Sequence, residues 1–349
     1  MLAASRYGTR TLLCPRHHPV LSLKTSALRP PRRIITRVQN AASVGTASEA
    51  STPSNGDGAI WTDSPEPVRL PGKDPSPGQL PIPDSPLLPP AGILAKAVEM
   101  GTAKAKLPAM KCFIMAVMGG IFIAFGGALA VSVGPNCPEM AASNPGLLKI
   151  LTGLNGLPFG LLLVLVCGAE LFTGNVALLS TAVFNGKATV KQLVRNWSIS
   201  YVGNMIGTGL IIAMMCGGAV FPYQPPGLLK MAMPKVSLTF KQAFLRGILA
   251  NWFVCLATWM AIGANSLISK IAGIYLTISA FVAIGLEHSV ANMFIIPLAM
   301  AVGADISPST YLLKNLLPVT LGNIVGGAIG VAGFYSYVYG TLGQKAQAA

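Results

Sequence analysis

The chain has 349 residues, 52% of them hydrophobic and only 10% charged, with a formal net charge of +14 and a mean hydropathy of +0.60. Soluble domains carry about 25% charged residues, so this composition excludes an ordinary soluble globular protein. The basic residues are dispersed between apolar stretches with no basic-aromatic stripe, which argues against nucleic acid and leaves an anionic membrane surface or an anionic substrate.

Residues 1–48 contain eight Lys or Arg, no acid, interspersed Ser and Thr, and no long apolar run. That pattern predicts an organellar transit peptide rather than a secretory signal, with mitochondrial and chloroplast versions overlapping. Residues 49–90 hold eleven prolines and read as an extended, disordered linker with no core of its own. A membrane domain is expected over 91–345. It opens with a short helix of mixed charge, from about Ile93 to Lys106, lying along the membrane surface.

Six apolar segments follow, roughly 112–134, 154–184, 196–220, 242–267, 270–302 and 313–340. A helix needs about 20 apolar residues to cross a bilayer core. The second and fifth segments exceed 30 residues, and each carries the same interruption. Gly168-Ala-Glu170-Leu171-Phe172-Thr173-Gly-Asn175 recurs as Gly285-Leu-Glu287-His288-Ser-Val-Ala-Asn292, with Gly, Glu and Asn 117 residues apart. Carboxylates and amides are expensive in hydrocarbon, and Gly weakens a helix. Two broken helices meeting near the bilayer midplane are therefore expected, as in many transporters. Asn196, Gly203, Asn204 and Gly207 recur as Asn315, Gly322, Asn323 and Gly326, offset by 119. Two duplicated halves of three spans each must run in opposite directions. The expected fold class is thus an all-α integral membrane protein of six transmembrane helices in two inverted three-helix repeats. After residue 90 the chain holds 15 Lys and Arg, and their distribution between the loops weakly favours termini on the cytoplasmic or stromal side.

His288 is the one histidine beyond the transit-like region, and it sits inside the second interruption. Its placement there points to function, because a lone imidazole deep in a membrane donates hydrogen bonds and changes charge at accessible pH. Thr173 occupies the matching place in the first interruption, with a hydroxyl to offer to an anion or to His288. Glu170 and Glu287 read better as clamps on backbone N–H groups freed at the breaks than as proton carriers. Asn175 and Asn292 are expected to cap the restarting half-helices, whose positive ends would favour an anion. Lys235, ahead of the fourth span, would raise the local anion concentration at a pore mouth. Leu171, Phe172 and Phe281 flank the breaks as candidate constrictions. Six scattered cysteines with no C-x-x-C pair imply neither a metal nor a disulfide framework. No P-loop, dinucleotide or metalloprotease signature is present, so no enzyme and no cofactor are expected.

Four motifs in order resemble the formate/nitrite transporter family: Glu170-Leu-Phe-Thr-Gly-Asn175, Gly247-Ile-Leu-Ala-Asn-Trp252, Gly285-Leu-Glu-His-Ser-Val-Ala-Asn-Met293 and Asn315-Leu-Leu-Pro-Val-Thr-Leu-Gly-Asn323. With the transit-like start, the resemblance is greatest to the green-algal chloroplast branch. It implies an aquaporin-like six-helix fold, a homopentamer with one pore per protomer, and small monovalent anions as substrates. It also implies a central pore role for His288, with Thr173, Lys235 and Asn251 along the path and Leu171, Phe172 and Phe281 at constrictions. Relatives often carry Phe where this chain has Leu157, and Phe159 is a possible substitute.

A bare anion in a dry pore faces an idealised penalty of about 20 kcal/mol, of which several remain after relaxation. Protonating an acid of pKa roughly 3–4 at pH 7 takes about 4–5 kcal/mol, so moving a proton with the anion is competitive. A plastid location favours nitrite across the chloroplast envelope, with bicarbonate and formate as alternatives. A neutral-solute pore of aquaporin type is disfavoured, because neither Asn175 nor Asn292 begins an Asn-Pro-Ala box.

Overall fold

The computed structural model describes residues 87–221 and 225–348. The expected transit peptide and nearly all of the Pro-rich linker lie outside the described residues. The described chain is helical apart from turns and one isolated β-bridge between Leu87 and Ala264.

Helix α1 runs Pro90–Lys106, with Pro at its first position where the missing N–H costs nothing. It starts three residues earlier than the sequence suggests. Its apolar stripe of Ile93, Leu94, Ala97, Gly101 and Ala105 is buried against protein. The fit is close: a Cβ on Gly101 would come within 2.0 Å of the Leu178 carbonyl oxygen. Helix α2 (Ala109–Val133) is followed by α3 (Pro138–Ser143), α4 (Pro145–Leu154) and α5 (Leu157–Val166). The second apolar segment therefore begins at Pro145 rather than 154. Next come α6 (Phe172–Phe184) and α7 (Val190–Gly217), the latter opened by a capping box between Thr189 and Gln192.

After α8 (Pro226–Val236), helix α9 (Phe240–Gly263) opens with the same device, Thr239 and Gln242. Helices α10 (Leu267–Ile284) and α11 (Ser289–Ala301) follow. The last long stretch is mixed in geometry: π-helical Thr310–Leu316, α12 (Leu317–Val325), π-helical Gly326–Gly333 and α13 (Phe334–Tyr339), then α14 (Thr341–Ala348).

Among the described residues, six stretches are long and apolar enough to cross a membrane: Ala109–Val133, Pro145–Val166, Val190–Gly217, Phe240–Gly263, Leu267–Ile284 and Thr310–Tyr339. Helices α6 and α11 have 13 residues each, so at 1.5 Å per residue they reach about 20 Å, short of a ~30 Å hydrocarbon core. Both are almost wholly buried, whereas Met110, Ile114, Val202, Leu210, Leu276 and Ile329 on the long helices are exposed. A water-soluble protein would hide such side chains; on membrane spans they face lipid or another protein.

The spaced glycines explain how the long helices meet. A Cβ on Gly207 of α7 would lie 2.1 Å from the Val117 carbonyl oxygen of α2, and one on Gly326 would lie 2.1 Å from that of Ile248 on α9. Only a hydrogen fits at these crossings.

Candidate functional site

Helices α5 and α10 end alike. Gly168 and Gly285 take left-handed backbone angles (φ +76° and +82°), and the next residues fold back, with Ala169 N–H donating to Val164 O at 3.0 Å and Leu286 N–H to Phe281 O at 3.3 Å. This is the Schellman closure that glycine permits at a helix C-terminus. The chain then runs extended through Leu171 and His288 before α6 and α11 begin.

Extended backbone inside an apolar body needs partners. Asn204 of α7 and Asn323 of α12 supply them. The Phe172 N–H donates to Asn204 Oδ1 at 2.9 Å, and the Ser289 N–H to Asn323 Oδ1 at 2.8 Å. The same amides donate to Glu170 O and Ala116 O (2.9 and 2.7 Å) and to Glu287 O and Gly247 O (3.1 and 2.8 Å).

The carboxylates are held by side chains rather than by the freed N–H groups the sequence suggests. Glu170 pairs with Lys104 of α1 and accepts from Asn175 at 2.7 Å and Asn196 at 3.3 Å. Glu287 pairs with Lys235 of α8 at 3.0 Å and accepts from Asn292 at 2.7 Å and Asn315 at 3.1 Å. Asn175 and Asn292 thus lie one turn inside their helices and are not N-caps; Leu171 and His288 hold those positions. Lys235 is not a free cation at a mouth, since its ammonium is neutralised by Glu287 and its side chain is only 16% exposed. Lys104 was not singled out from the sequence. It lies 131 residues before Lys235, a spacing different from the 117 of the breaks, so the match is visible only through the shared geometry.

His288 Nε2 lies 2.9 Å from Thr173 Oγ1, bringing the two interruptions together. The Ala291 backbone N–H donates to His288 Nδ1 at 3.1 Å. A backbone N–H can only donate, so Nδ1 is bare and the neutral ring carries its proton on Nε2. That proton goes to Thr173 Oγ1, and the threonine O–H is left to donate elsewhere. Asn251 Nδ2 donates to Thr173 O at 3.1 Å and Asn323 O at 2.7 Å, while its buried Oδ1 has no partner among the described protein atoms.

A narrow cavity of about 10 Å3, room for roughly one water, is lined by His288, Leu171, Phe281, Leu157, Leu161, Ile123, Val254 and Ile278. Six of these eight fall into pairs: Leu161 with Ile278 and Leu171 with His288 at the 117-residue spacing of the breaks, and Ile123 with Val254 at the 131 that also separates Lys104 from Lys235. The register therefore opposes His288 to Leu171 and Thr173 to Val290, correcting the expected match of Thr173 with His288. Only His288 breaks the apolar character of this lining. Phe172 does not line it: its ring packs edge-on to Tyr201 and Trp197, with centroids 5.0 and 6.3 Å away. Leu157 does line it, and Phe159 does not. A larger cavity of about 140 Å3 adjoins it, sharing Leu161 and Leu171 and reaching Lys104, Glu170 and Thr258.

The formate/nitrite transporter family model matches residues 91–337. The chain belongs to this family. It is 39% identical over 267 residues to a probable formate transporter of Methanothermobacter thermautotrophicus, covering 72% of this chain and 96% of that one. It is 35% identical over 275 residues to the formate channel FocA of Escherichia coli K12, covering 72% and 95%. Among solved structures it is similar to an FNT family ion channel (TM-score 0.65, 27% identity, 70% of this chain and 98% of that one). It also matches a pentameric formate channel with formate bound (TM-score 0.58, 33% identity, 66% and 97%). Members of the formate/nitrite transporter family are channels or transporters, so this chain is a multi-pass membrane protein and not an enzyme.

Proposed function

We propose that the chain forms a pore for small monovalent anions, with Leu171, Phe281 and the apolar lining as its constriction and Thr173 and His288 at its centre. The observation that carries this reading is the 2.9 Å contact between Thr173 and His288. It orients one hydroxyl proton away from the imidazole, and that imidazole is the one polar side chain lining an otherwise apolar cavity. An anion entering there loses water and regains one directed donor. Asn251 fixes the threonine from behind. Lys104 and Lys235 each neutralise a carboxylate, so neither Glu170 nor Glu287 is left as an unpaired charge to repel an anion.

In this reading α5–α6 and α10–α11 are the two broken spans. The bond-for-bond recurrence of their clamps supports an inverted repeat whose axis passes through the central cavity. The pentameric relative supports a homopentamer with one pore in each protomer. The basic, acid-free start supports delivery to a chloroplast envelope, where nitrite is the natural substrate, and fits the algal branch of the family. Formate is the second reading, favoured by the names of the relatives at 35–39% identity. A proton accompanies the anion, because an unpaired charge in so dry a constriction is costly.

The test is flux into proteoliposomes containing the purified protein, comparing nitrite, formate, bicarbonate and a neutral solute. Nitrite and formate should pass. Thr173→Val should slow them about tenfold or more, the value of a hydrogen bond to a charged group. Passage of the neutral solute alone, or full flux in T173V, would overturn the reading.

A further inference from the structure

Phe172 follows the constriction residue Leu171 and precedes Thr173, yet its side chain turns away from the cavity. What holds it there is one face of α7. Trp197 and Tyr201 pack edge-on against its ring at interplanar angles of 83°, and Asn204 accepts its N–H. Trp197 Nε1 also donates to Asn175 O at 3.3 Å. Residues 197, 201 and 204 share a helical face, so α7 grips the first turn of α6 as a unit.

Tyr201 does one thing more. Its hydroxyl lies 3.0 Å from Thr320 Oγ1 on α12. Tyr201 and Thr320 are themselves 119 residues apart, the spacing that relates Asn196 to Asn315 and Asn204 to Asn323. Two repeat-related residues in direct contact mark the axis between the halves. Thr320 stands one turn before Asn323, which holds the Ser289 N–H and the Glu287 carbonyl beside His288. The side chains differ across the axis: a bulky Phe172–Tyr201 pair on one side faces Ser289 and Thr320 on the other. The hydrogen bond is thus where the clamp of one interruption touches the clamp of the other.

We infer that Tyr201 is a positioning residue that sets the distance between Leu171–Thr173 and His288, and with it the size selectivity of the constriction. This rests on the reading of that constriction as an anion pore. Tyr201→Phe removes only the hydroxyl and keeps the ring against Phe172. Thr320→Val removes the partner at equal volume.

Each variant should raise the half-saturation concentration for formate and lower the preference for formate over acetate by about three- to tenfold, the effect of one hydrogen bond. The double variant should do no more than either single one. The melting midpoint should fall by no more than a few degrees, the loss of one hydrogen bond, and oligomer size should stay at the wild-type value. His288→Asn is measured alongside. If it alters formate half-saturation or selectivity while Y201F leaves both unchanged, Tyr201 has no positioning role. Additive effects of Y201F and T320V also overturn it. If H288N too is without effect, the failure belongs to the pore reading itself.

Discussion

Glu287→Gln separates a structural carboxylate from a proton carrier. Glu287 is 3% exposed, and both of its oxygens are engaged: Oε1 faces Lys235 Nζ at 3.0 Å, and Oε2 takes Asn292 and Asn315 at 2.7 and 3.1 Å. A glutamine has one carbonyl oxygen. If that oxygen serves the two asparagines, the new NH2 points at the lysine ammonium. If it serves the lysine, two buried amides lose their acceptor. Removing one partner of a buried pair costs about 3–5 kcal/mol, and the low end applies because Lys235 retains some water. At 2–4 °C per kcal/mol for a domain of this size, the midpoint in a detergent melt should drop by about 6–12 °C. Adding Lys235→Met should restore much of the loss, since no unpaired charge remains. Glu170→Gln should reproduce the effect in the other half, where Lys104, Asn175 and Asn196 make the same contacts. An E287Q protein that melts within a degree of wild type but shows a changed pH dependence of flux would refute the clamp and make the carboxylate a proton carrier.

Gly285→Ala should destabilise by about 1–2 kcal/mol, the cost of a left-handed Ala, because nothing lies within 4 Å of the added methyl; a melt checks it. Gly326→Ala meets the Ile248 carbonyl oxygen at 2.1 Å and should prevent proper packing, visible as loss of folded protein on size-exclusion chromatography. Leu171→Ala should admit acetate more readily in the proteoliposome assay, and Phe172→Ala should lower the melting midpoint and also loosen selectivity, because it removes the ring by which Tyr201 holds this segment. Wild-type nitrite flux should rise as external pH falls from 7.5 to 5.5, since each unit lowers the cost of a co-transported proton by about 1.4 kcal/mol. His288→Asn should flatten that dependence, and an unchanged profile would remove the histidine from the proton path.

Much of this protein is legible from its residues alone. Bilayer thickness sets the length of an apolar span, and a Gly or Glu within one is costly enough to stand out, so the six spans and the two interrupted stretches follow from pattern. The four motifs are enough to name the family. Direction and partnership are not encoded locally. That Asn175 and Asn292 serve carboxylates one turn below them, instead of capping a helix, depends on Asn196 and Asn315 arriving from distant segments. The outward turn of Phe172 depends on Trp197 and Tyr201, and the neutralisation of Lys235 depends on a carboxylate 52 residues away. The pairing of Lys104 with Glu170 was hidden because its partners lie 66 residues apart whereas Lys235 and Glu287 lie 52 apart, which changes the spacing while leaving the three-dimensional contact intact. Composition and periodicity decide which residues leave water; only the packed helices decide which buried polar group answers which.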